Sequence, residues 1–239
     1  MTTTDPTAAL EAVLDAEAAR WLAARCAAGT HDTVLRAFPA VGRRLGRGPL
    51  RPGGTDVHAW TVDDAGRVRL LLSVAGEPGL ADLLRRLYEH GEATERRAVL
   101  RALDALPVGE AGLPLLLDAL RTNDIRLVAA AAGGRYAARV LPDADLEQAV
   151  LKCLFVGVPL AGVAAVPERA TPAMARMVAE FARERVAAGR TVPADAWLVL
   201  DRHPDAVPAA GLPEELHSPQ PHRRAAAQRF FATRDPGEA

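Results

Sequence analysis

Cysteine and histidine, the residues that hold most transition metals, are few and scattered in this sequence. The two cysteines, Cys26 and Cys153, lie far apart, and neither belongs to a Cys-x-x-Cys pair or has a histidine at ligand spacing. None of the six histidines belongs to a His-Glu-x-x-His motif. We therefore expect no metal and no cofactor, and we interpret both cysteines as small buried hydrophobic residues.

The signatures of several common enzyme classes are also missing. The chain has no Gly-x-Ser-x-Gly nucleophile motif, no P-loop and no Rossmann glycine pattern. The adjacent carboxylates Asp63 and Asp64 would point in different directions on a helix, so we interpret them as a cap and a first turn and not as a catalytic pair. These absences leave open whether the protein is an enzyme.

Aromatic residues make up only 4% of the chain, and β-branched residues other than valine are scarce. Strands are rich in these residues, whereas alanine, leucine and arginine, which are abundant here, favour helices. The composition therefore predicts an all-α protein.

Neither a strong net charge nor an uninterrupted apolar segment is present. The net charge of −1 gives no overall field that would attract nucleic acid or an anionic membrane. The apolar run 149–166 approaches the length of a membrane span, but Pro159 would interrupt its helix and Lys152 would place a charge in it. The first residues, MTTTDPTAALEAVL, lack the basic and apolar regions of a signal peptide. We therefore expect a cytoplasmic protein with no transmembrane segment and no nucleic-acid partner.

What the sequence does contain is a series of amphipathic segments between residues 78 and 133. In GLADLLRRLYEHG the leucines recur on one helical face. The next segment, ATERRAVLRALDALP, is predicted to place Arg96, Arg97 and Arg101 on its outer face, and Asn123 is positioned to cap a later helix. Two of these segments superpose at an offset of roughly 30 residues, which is in the range of helical solenoid repeats. We predict HEAT-like stacked helical pairs in an α-solenoid-like single domain.

The segment 59–75, AWTVDDAGRVRLLLSVA, fits two structures. Read with a period of two around Asp-Asp-Ala-Gly, it is a β-hairpin; read with Asp63 as an N-cap, it is a helix that ends at Gly76. Because its neighbours are helical, we predict the helix.

These segments divide the chain into three parts. Residues 1–58 contain N-terminal helices, the first of them between Asp5 and Gly29, and a loop rich in arginine, glycine and proline. Residues 59–204 form a HEAT-like helical core. Residues 205–239 form a polar tail, whose last stretch could remain loose or fold as a basic amphipathic helix that docks on a membrane.

Several blocks of the sequence resemble the EboA family. They are AWTVDDAGRVRLLL, ALRTND, YAARVLPDADLEQAVLKCLFVGVPLAGV and ERATPAMARMVAEFARERVAAGRTVPADAW. The last two blocks are the most specific part of the resemblance. The chain departs from the family pattern at Gly134-Arg135-Tyr136, where Asn-Pro-Tyr is expected, and at Gly66, where the family has better helix formers.

The resemblance implies a genomic context for the protein but does not imply a reaction. Family members look like products of bacterial gene clusters that also encode a UbiA-type prenyltransferase, a TatD-like hydrolase, a dehydroquinate-synthase-like enzyme and a sugar-isomerase-like barrel. Such clusters are linked to secondary-metabolite pathways, including the export of pigment precursors in some cyanobacteria. The resemblance therefore implies partners among prenyltransferase-, hydrolase- or isomerase-like enzymes of one metabolite pathway.

Lysine occurs once, at Lys152, with no carboxylate three or four residues away. An unpaired buried ammonium is costly, so this side chain either reaches the surface, pairs with Glu168 or Glu180, or anchors a small anionic ligand. Arg176 and Glu180 form either a solvated face or part of the same pocket.

Two further pairs of residues lie near predicted helix ends. Arg121 and Asn123 could hold an anion at a helix N-terminus or form an ordinary cap, and Arg135 and Tyr136 lead toward the helix of Lys152. The full set of candidate ligand-binding residues is Lys152, Arg121, Asn123, Arg135, Tyr136, Arg176 and Glu180.

These observations predict an accessory binding or scaffold protein of a bacterial Ebo-type pathway for secondary-metabolite biosynthesis or precursor export. The alternative is an enzyme or ligand-binding protein that acts on a phosphorylated sugar- or cyclitol-like intermediate of that pathway. Convergence of the candidate residues on one closed cavity would favour the alternative, whereas their dispersal over the surface would favour the scaffold.

Overall fold

The computed structural model describes residues 6–54 and 56–234, so the predicted cap at Asp5 lies outside the described residues. Within these two ranges every regular element is helical and no strand is present. Extended pairing in the same ranges is limited to an isolated antiparallel bridge between Pro49 and Thr61. The predicted all-α fold is confirmed.

The chain forms two compact units, the first ending at Val140 and the second beginning at Leu141. We call them unit 1 and unit 2. The division into 1–58, 59–204 and 205–239 stays a prediction.

Unit 1 is built from short and medium helices joined by tight turns. They are α1 (Pro6–Glu11), α2 (Ala16–Ala28), α3 (His31–Ala37), α4 (Val41–Leu45), α5 (Val62–Leu72), α6 (Leu80–His90), α7 (Ala93–Ala102), α8 (Leu113–Arg121), α9 (Ile125–Gly133) and α10 (Arg135–Val140). Single 3₁₀ turns at Phe38–Ala40 and Gly109–Gly112 lead into α4 and α8.

The first helix expected from the sequence is broken into α1 and α2. Asp15 lies at the break, and its side chain accepts a hydrogen bond of 2.8 Å from the backbone N–H of Ala18. Because this cap satisfies an N–H group of a new first turn, the chain starts a second helix instead of continuing the first. Gly29 ends α2 with φ at 54°, in the left-handed region, as expected.

Helix α5 is the element around which unit 1 packs. It contacts α1, α2, α4 and α7, and every residue from Val62 to Val68 is buried. The helical prediction for this segment was right, but the predicted cap was wrong. Thr61 is the N-cap, and its hydroxyl accepts a hydrogen bond from the backbone N–H of Asp64, which leaves Asp63 inside the first turn.

Gly66 allows α4 to approach α5 closely. A Cβ atom at this position would lie 2.5 Å from Leu45 Cδ2 and 3.0 Å from Val41 Cγ1. Glycine costs about 1 kcal/mol relative to alanine inside a helix, but here it removes the atom that would keep the two helices apart. The departure from the family pattern at Gly66 therefore has a packing reason.

The helices that follow α5 stack side by side. α6 packs on α7 and α8 on α9, while α7 contacts both α5 and α9. This arrangement is typical of stacked helical pairs, and their HEAT-like character stays a prediction. The cap of α9 is Asp124 and not Asn123, since the Asp124 carboxylate accepts hydrogen bonds from the backbone N–H groups of Arg126 and Leu127.

Unit 2 is arranged around one long helix. Its helices are α11 (Asp143–Val156), α12 (Val166–Arg169), α13 (Pro172–Ala187), α14 (Trp197–Leu200), α15 (Ala206–Ala209) and α16 (Pro221–Ala232). Three 3₁₀ turns lie at Leu160–Gly162, Ala194–Ala196 and Pro213–His217. Helix α13 contacts α11, α14, α15 and α16 and buries Met174, Val178 and Phe181.

The end of the described chain is neither loose nor a free amphipathic helix. Phe230 of α16 is buried and stacks on Trp197 with 4.5 Å between ring centroids. The Trp197 indole N–H also donates to the Phe230 carbonyl at 3.3 Å. Phe230 is therefore part of the core of unit 2, and the half-buried Phe231 lies beside Trp197 with 6.0 Å between ring centroids.

The two thiols should differ in reactivity. Cys153 is fully buried, and burial raises the pKa of its thiol to about 12. Cys26 is partly buried, and burial raises the pKa of its thiol above the ordinary value. We expect Cys26 to react slowly with Ellman's reagent at pH 8, and Cys153 only after unfolding, because the thiolate is the nucleophile.

The raised pKa of Cys153 also determines how its contribution to the stability of the fold changes with pH. An unfolded cysteine ionises near pH 8.5, so the stabilisation from keeping Cys153 protonated is complete below that pH and is lost as the pH rises toward 12. The Cys26→Ser variant tests the labelling prediction separately, because Cys153 is its only thiol. Rapid labelling of that variant in the native state would contradict the buried position of Cys153.

Candidate functional site

Five charged side chains are buried where α5 meets α7. Asp63, Asp64 and Arg67 come from α5, and Arg97 and Arg101 come from α7. None of the five exceeds 9% exposure. Buried charges at this density are found either in active sites or in structural ion networks, and the partners of each group decide between the two.

Asp64 is the shared partner of both α7 arginines. Its Oδ1 lies 3.0 Å from Arg97 Nε, and its Oδ2 lies 3.1 Å from Arg101 Nη1. One fully buried carboxylate thus faces two guanidinium groups that are one helical turn apart. The prediction that Arg97 and Arg101 face outward was wrong.

The remaining donors of these arginines bind backbone and hydroxyl oxygens. Arg97 Nη2 donates to the Thr61 hydroxyl at 3.1 Å, and Arg101 Nη2 donates to the carbonyls of Ala59 at 2.9 Å and His58 at 3.2 Å. The Arg101 guanidinium also lies 4.8 Å from the centroid of the Trp60 ring. Burial lowers the pKa of Arg101, and the negative charge of Asp64 opposes that change.

A second ion pair completes the cluster. Arg67 Nη1 donates to Asp63 Oδ2 at 2.6 Å, and Arg67 Nε donates to the Phe38 carbonyl at 3.2 Å. Glu95 Oε1 lies 3.9 Å from Arg67 Nη2. Asp63 Oδ1, Asp64 Oδ2 and Arg101 Nη1 have no hydrogen-bond partner among residues 6–54 and 56–234. The 3.1 Å contact between Asp64 Oδ2 and Arg101 Nη1 is therefore an attraction between charges and not a hydrogen bond. With Glu95 the cluster has three negative and three positive groups, so it is neutral as a whole.

The partners identify the α5–α7 cluster as a structural network. Its arginines bind carbonyl groups that precede α5 and carboxylates within it, which ties the loop and two helices together. An ion pair of this kind is strongly destabilised when one member is removed, because the other charge stays buried without compensation. The residues that form it belong to the packed interior and do not line an opening to solvent.

A groove near the surface of unit 1 is lined by charged side chains that are not part of the α5–α7 cluster. It has a volume of about 390 Å³ and lies among α2, α3 and α4. We call it the arginine groove; its lining residues are Trp21, Arg25, Asp32, Thr33, Arg36, Ala37, Ala40 and Arg44. The sequence analysis missed it, because the three arginines come from three separate helices.

A signal for the groove does exist in the sequence. Residues 18–54 contain seven arginines and a single carboxylate, Asp32, and so have a net charge of +6 in a chain whose total is −1. Whole-chain net charge hides this local excess.

The candidate residues of unit 1 occupy two kinds of position. Arg121, Asn123 and Arg135 are exposed at helix ends. Tyr136 is buried; its hydroxyl donates to the Gly109 carbonyl at 2.5 Å and accepts from the Gly112 N–H at 3.0 Å. These bonds hold α10 against the turn before α8, and a role of Tyr136 in ligand binding stays a prediction.

The candidate residues of unit 2 lie on α11 and α13. Lys152 is partly buried on α11, and Arg176 and Glu180 are exposed on α13. The exposure of the last two places them on the solvated side of α13, opposite Met174 and Val178. Their part in ligand binding is likewise still a prediction.

Metal-binding clusters and membrane-spanning helices are both absent from residues 6–54 and 56–234. No group of three or more histidine, cysteine, aspartate or glutamate residues in these ranges is arranged to hold a metal ion. No helix in the same ranges is both long enough and apolar enough to cross a membrane.

A comparison with protein-family models identifies the family of this chain. The family model described as "Metabolite traffic protein EboA" matches residues 7–201. The chain belongs to the EboA family. No curated protein and no solved structure matches it.

The EboA match covers both the α5–α7 cluster and the arginine groove. It extends from α1 to the end of α14, and α15 and α16 lie beyond it. The resemblance drawn from the sequence blocks is thereby confirmed, while the pathway and the binding function stay open to proposal.

Removing the charge of Asp64 tests the structural role of the cluster. We expect Asp64→Asn to lower the free energy of unfolding by about 3–5 kcal/mol, because Arg97 and Arg101 would then be buried without their counter-ion. Urea titration followed by circular dichroism measures the change.

The matched control is Asp32→Asn, which breaks an exposed ion pair with Arg36 and should cost less than about 1 kcal/mol. Equal effects of the two substitutions would contradict a structural role for the buried network.

Proposed function

We propose that this chain is a cytoplasmic accessory protein of a bacterial Ebo-type metabolite pathway, in which it binds or holds together other components. The observation that carries the proposal is the family match over residues 7–201, whose description assigns the family to metabolite traffic. The partners we propose are prenyltransferase-, hydrolase- or isomerase-like enzymes of secondary-metabolite biosynthesis or precursor export.

The chemistry of the described residues agrees with a binding role. The buried charged groups of the α5–α7 cluster are held by one another and by backbone carbonyls, so they serve the fold. The arginines of the arginine groove, in contrast, face solvent from three helices. Stacked helices of this type present broad surfaces to partners without moving the helices themselves.

The second candidate function is the binding or conversion of a phosphorylated sugar- or cyclitol-like intermediate. A positively charged groove supports it, because guanidinium groups match the oxygens of phosphate. This candidate function includes further proposed ligand contacts, which are Lys152, Arg121, Asn123, Arg135, Tyr136, Arg176 and Glu180.

Purification of the tagged protein from its own host, at low salt, tests the two proposals. Native mass spectrometry would compare the wild type with Lys152→Ala and with the control Arg202→Ala, which removes an exposed charge elsewhere in unit 2. We expect a pathway enzyme to co-purify equally with all three proteins, since a scaffold does not depend on a single half-buried lysine.

A small anionic mass that is retained by the wild type and the control but lost from Lys152→Ala would favour the ligand-binding function. A protein that carries neither a partner enzyme nor a small molecule in any of the three preparations would contradict both proposals.

A further inference from the structure

We propose that the arginine groove binds the phosphate or diphosphate group of a small metabolite. This inference rests on the proposed function, from which we take that the ligand is a metabolite. It deepens that function by naming the charged group that is recognised. It depends on residues of α2, α3 and α4 only.

The first support is the charge of the groove. Arg25, Arg36 and Arg44 line it together with one carboxylate, Asp32, which leaves a net charge of +2. Within residues 6–54 and 56–234, neither Arg25 nor Arg44 forms an ion pair. Arginines in this state have donors available for an anion, and each guanidinium can bind two oxygens of one phosphate group.

The second support is that contacts with neighbouring side chains limit the conformations of two of the arginines. The Arg25 guanidinium lies 5.2 Å from the centroid of the Trp21 ring, and Trp21 packs against the core that includes Leu22 and Val41. Because the cation–π contact restricts Arg25 before a ligand arrives, less side-chain entropy is lost on binding.

Arg36 is restricted by Asp32 on the same helix. Its Nε donates to Asp32 Oδ1 at 3.2 Å, and its Nη2 donates to Oδ2. A guanidinium has five N–H groups, so this fork leaves three of them for another acceptor. Asp32 therefore orients Arg36 without consuming its capacity to bind an anion.

The third support is size. The groove volume of about 390 Å³ lies in the range of roughly 300–1,000 Å³ that is usual for small-molecule sites. A nucleic acid would need a longer basic track with aromatic residues free to stack on bases, whereas the aromatic ring in this groove, Trp21, is in contact with Arg25. A compact anionic group fits these features better.

The test is isothermal titration calorimetry with inorganic pyrophosphate at low salt. The groove variant is Arg25→Gln/Arg44→Gln, and the control is Arg190→Gln/Arg202→Gln, which removes the same charge from exposed positions of unit 2. We expect the groove variant to bind about tenfold more weakly or worse, because each substitution removes charge-assisted hydrogen bonds. The control variant should bind as the wild type does. Circular dichroism would verify that both variants are folded.

Two additional binding measurements identify the kind of molecule that carries the phosphate group. Phosphatidylcholine vesicles with phosphatidic acid offer it on a lipid, and a short DNA duplex offers it on a polymer. Vesicle binding that is lost in the groove variant would assign the group to a lipid headgroup, and binding of pyrophosphate alone would assign it to a soluble metabolite.

The proposal fails if the wild type does not bind pyrophosphate at millimolar concentration, if both double variants lose affinity equally, or if the duplex binds and pyrophosphate does not displace it. None of these results would affect the co-purification of a partner enzyme, so the failure of this inference is distinct from a failure of the proposed function.

Discussion

The carboxylate of Asp64, buried between two guanidinium groups of α7, is the interaction on which unit 1 depends. It restricts how α5 can rotate relative to α7, because the charge stays paired only while Oδ1 lies near Arg97 and Oδ2 lies near Arg101. An apolar contact would allow several relative rotations of the two helices, whereas a buried charge allows only the rotations that keep it paired. The hydrogen bonds from Arg101 to the carbonyls of His58 and Ala59 then tie the preceding loop to the same frame.

The packing of the neighbouring helices follows from this frame. Gly66 lets α4 approach one side of α5, and α7 on the other side is followed by α9. Helix α4 in turn brings Arg44 to the arginine groove, where it meets Arg25 and Arg36. The internal charges of unit 1 thus serve the structure, while the solvent-facing charges on α2, α3 and α4 are the ones we propose to serve binding.

Composition was sufficient to predict the all-α fold, because alanine, leucine and arginine favour helices. The helical state of 62–72 was predicted from its helical neighbours, since its own pattern also fitted a hairpin. Sequence reasoning failed for Arg97 and Arg101, which were predicted to face outward because arginine usually does. Their burial is explained by Asp64, 33 positions before Arg97, and by the packing of α7 against α5, α6 and α9. The arginine groove escaped prediction for a related reason: its charges converge only after three short helices fold together.

The most direct test of this account is a double-mutant cycle on Asp64 and Arg97, read as the free energy of unfolding in urea. If the pair is a structural link, Asp64→Asn combined with Arg97→Gln should cost less than the sum of the single substitutions, with a coupling energy of about 2 kcal/mol. Additivity within about 0.5 kcal/mol would mean that the two groups are stabilised independently, and it would contradict the central place given to their ion pair.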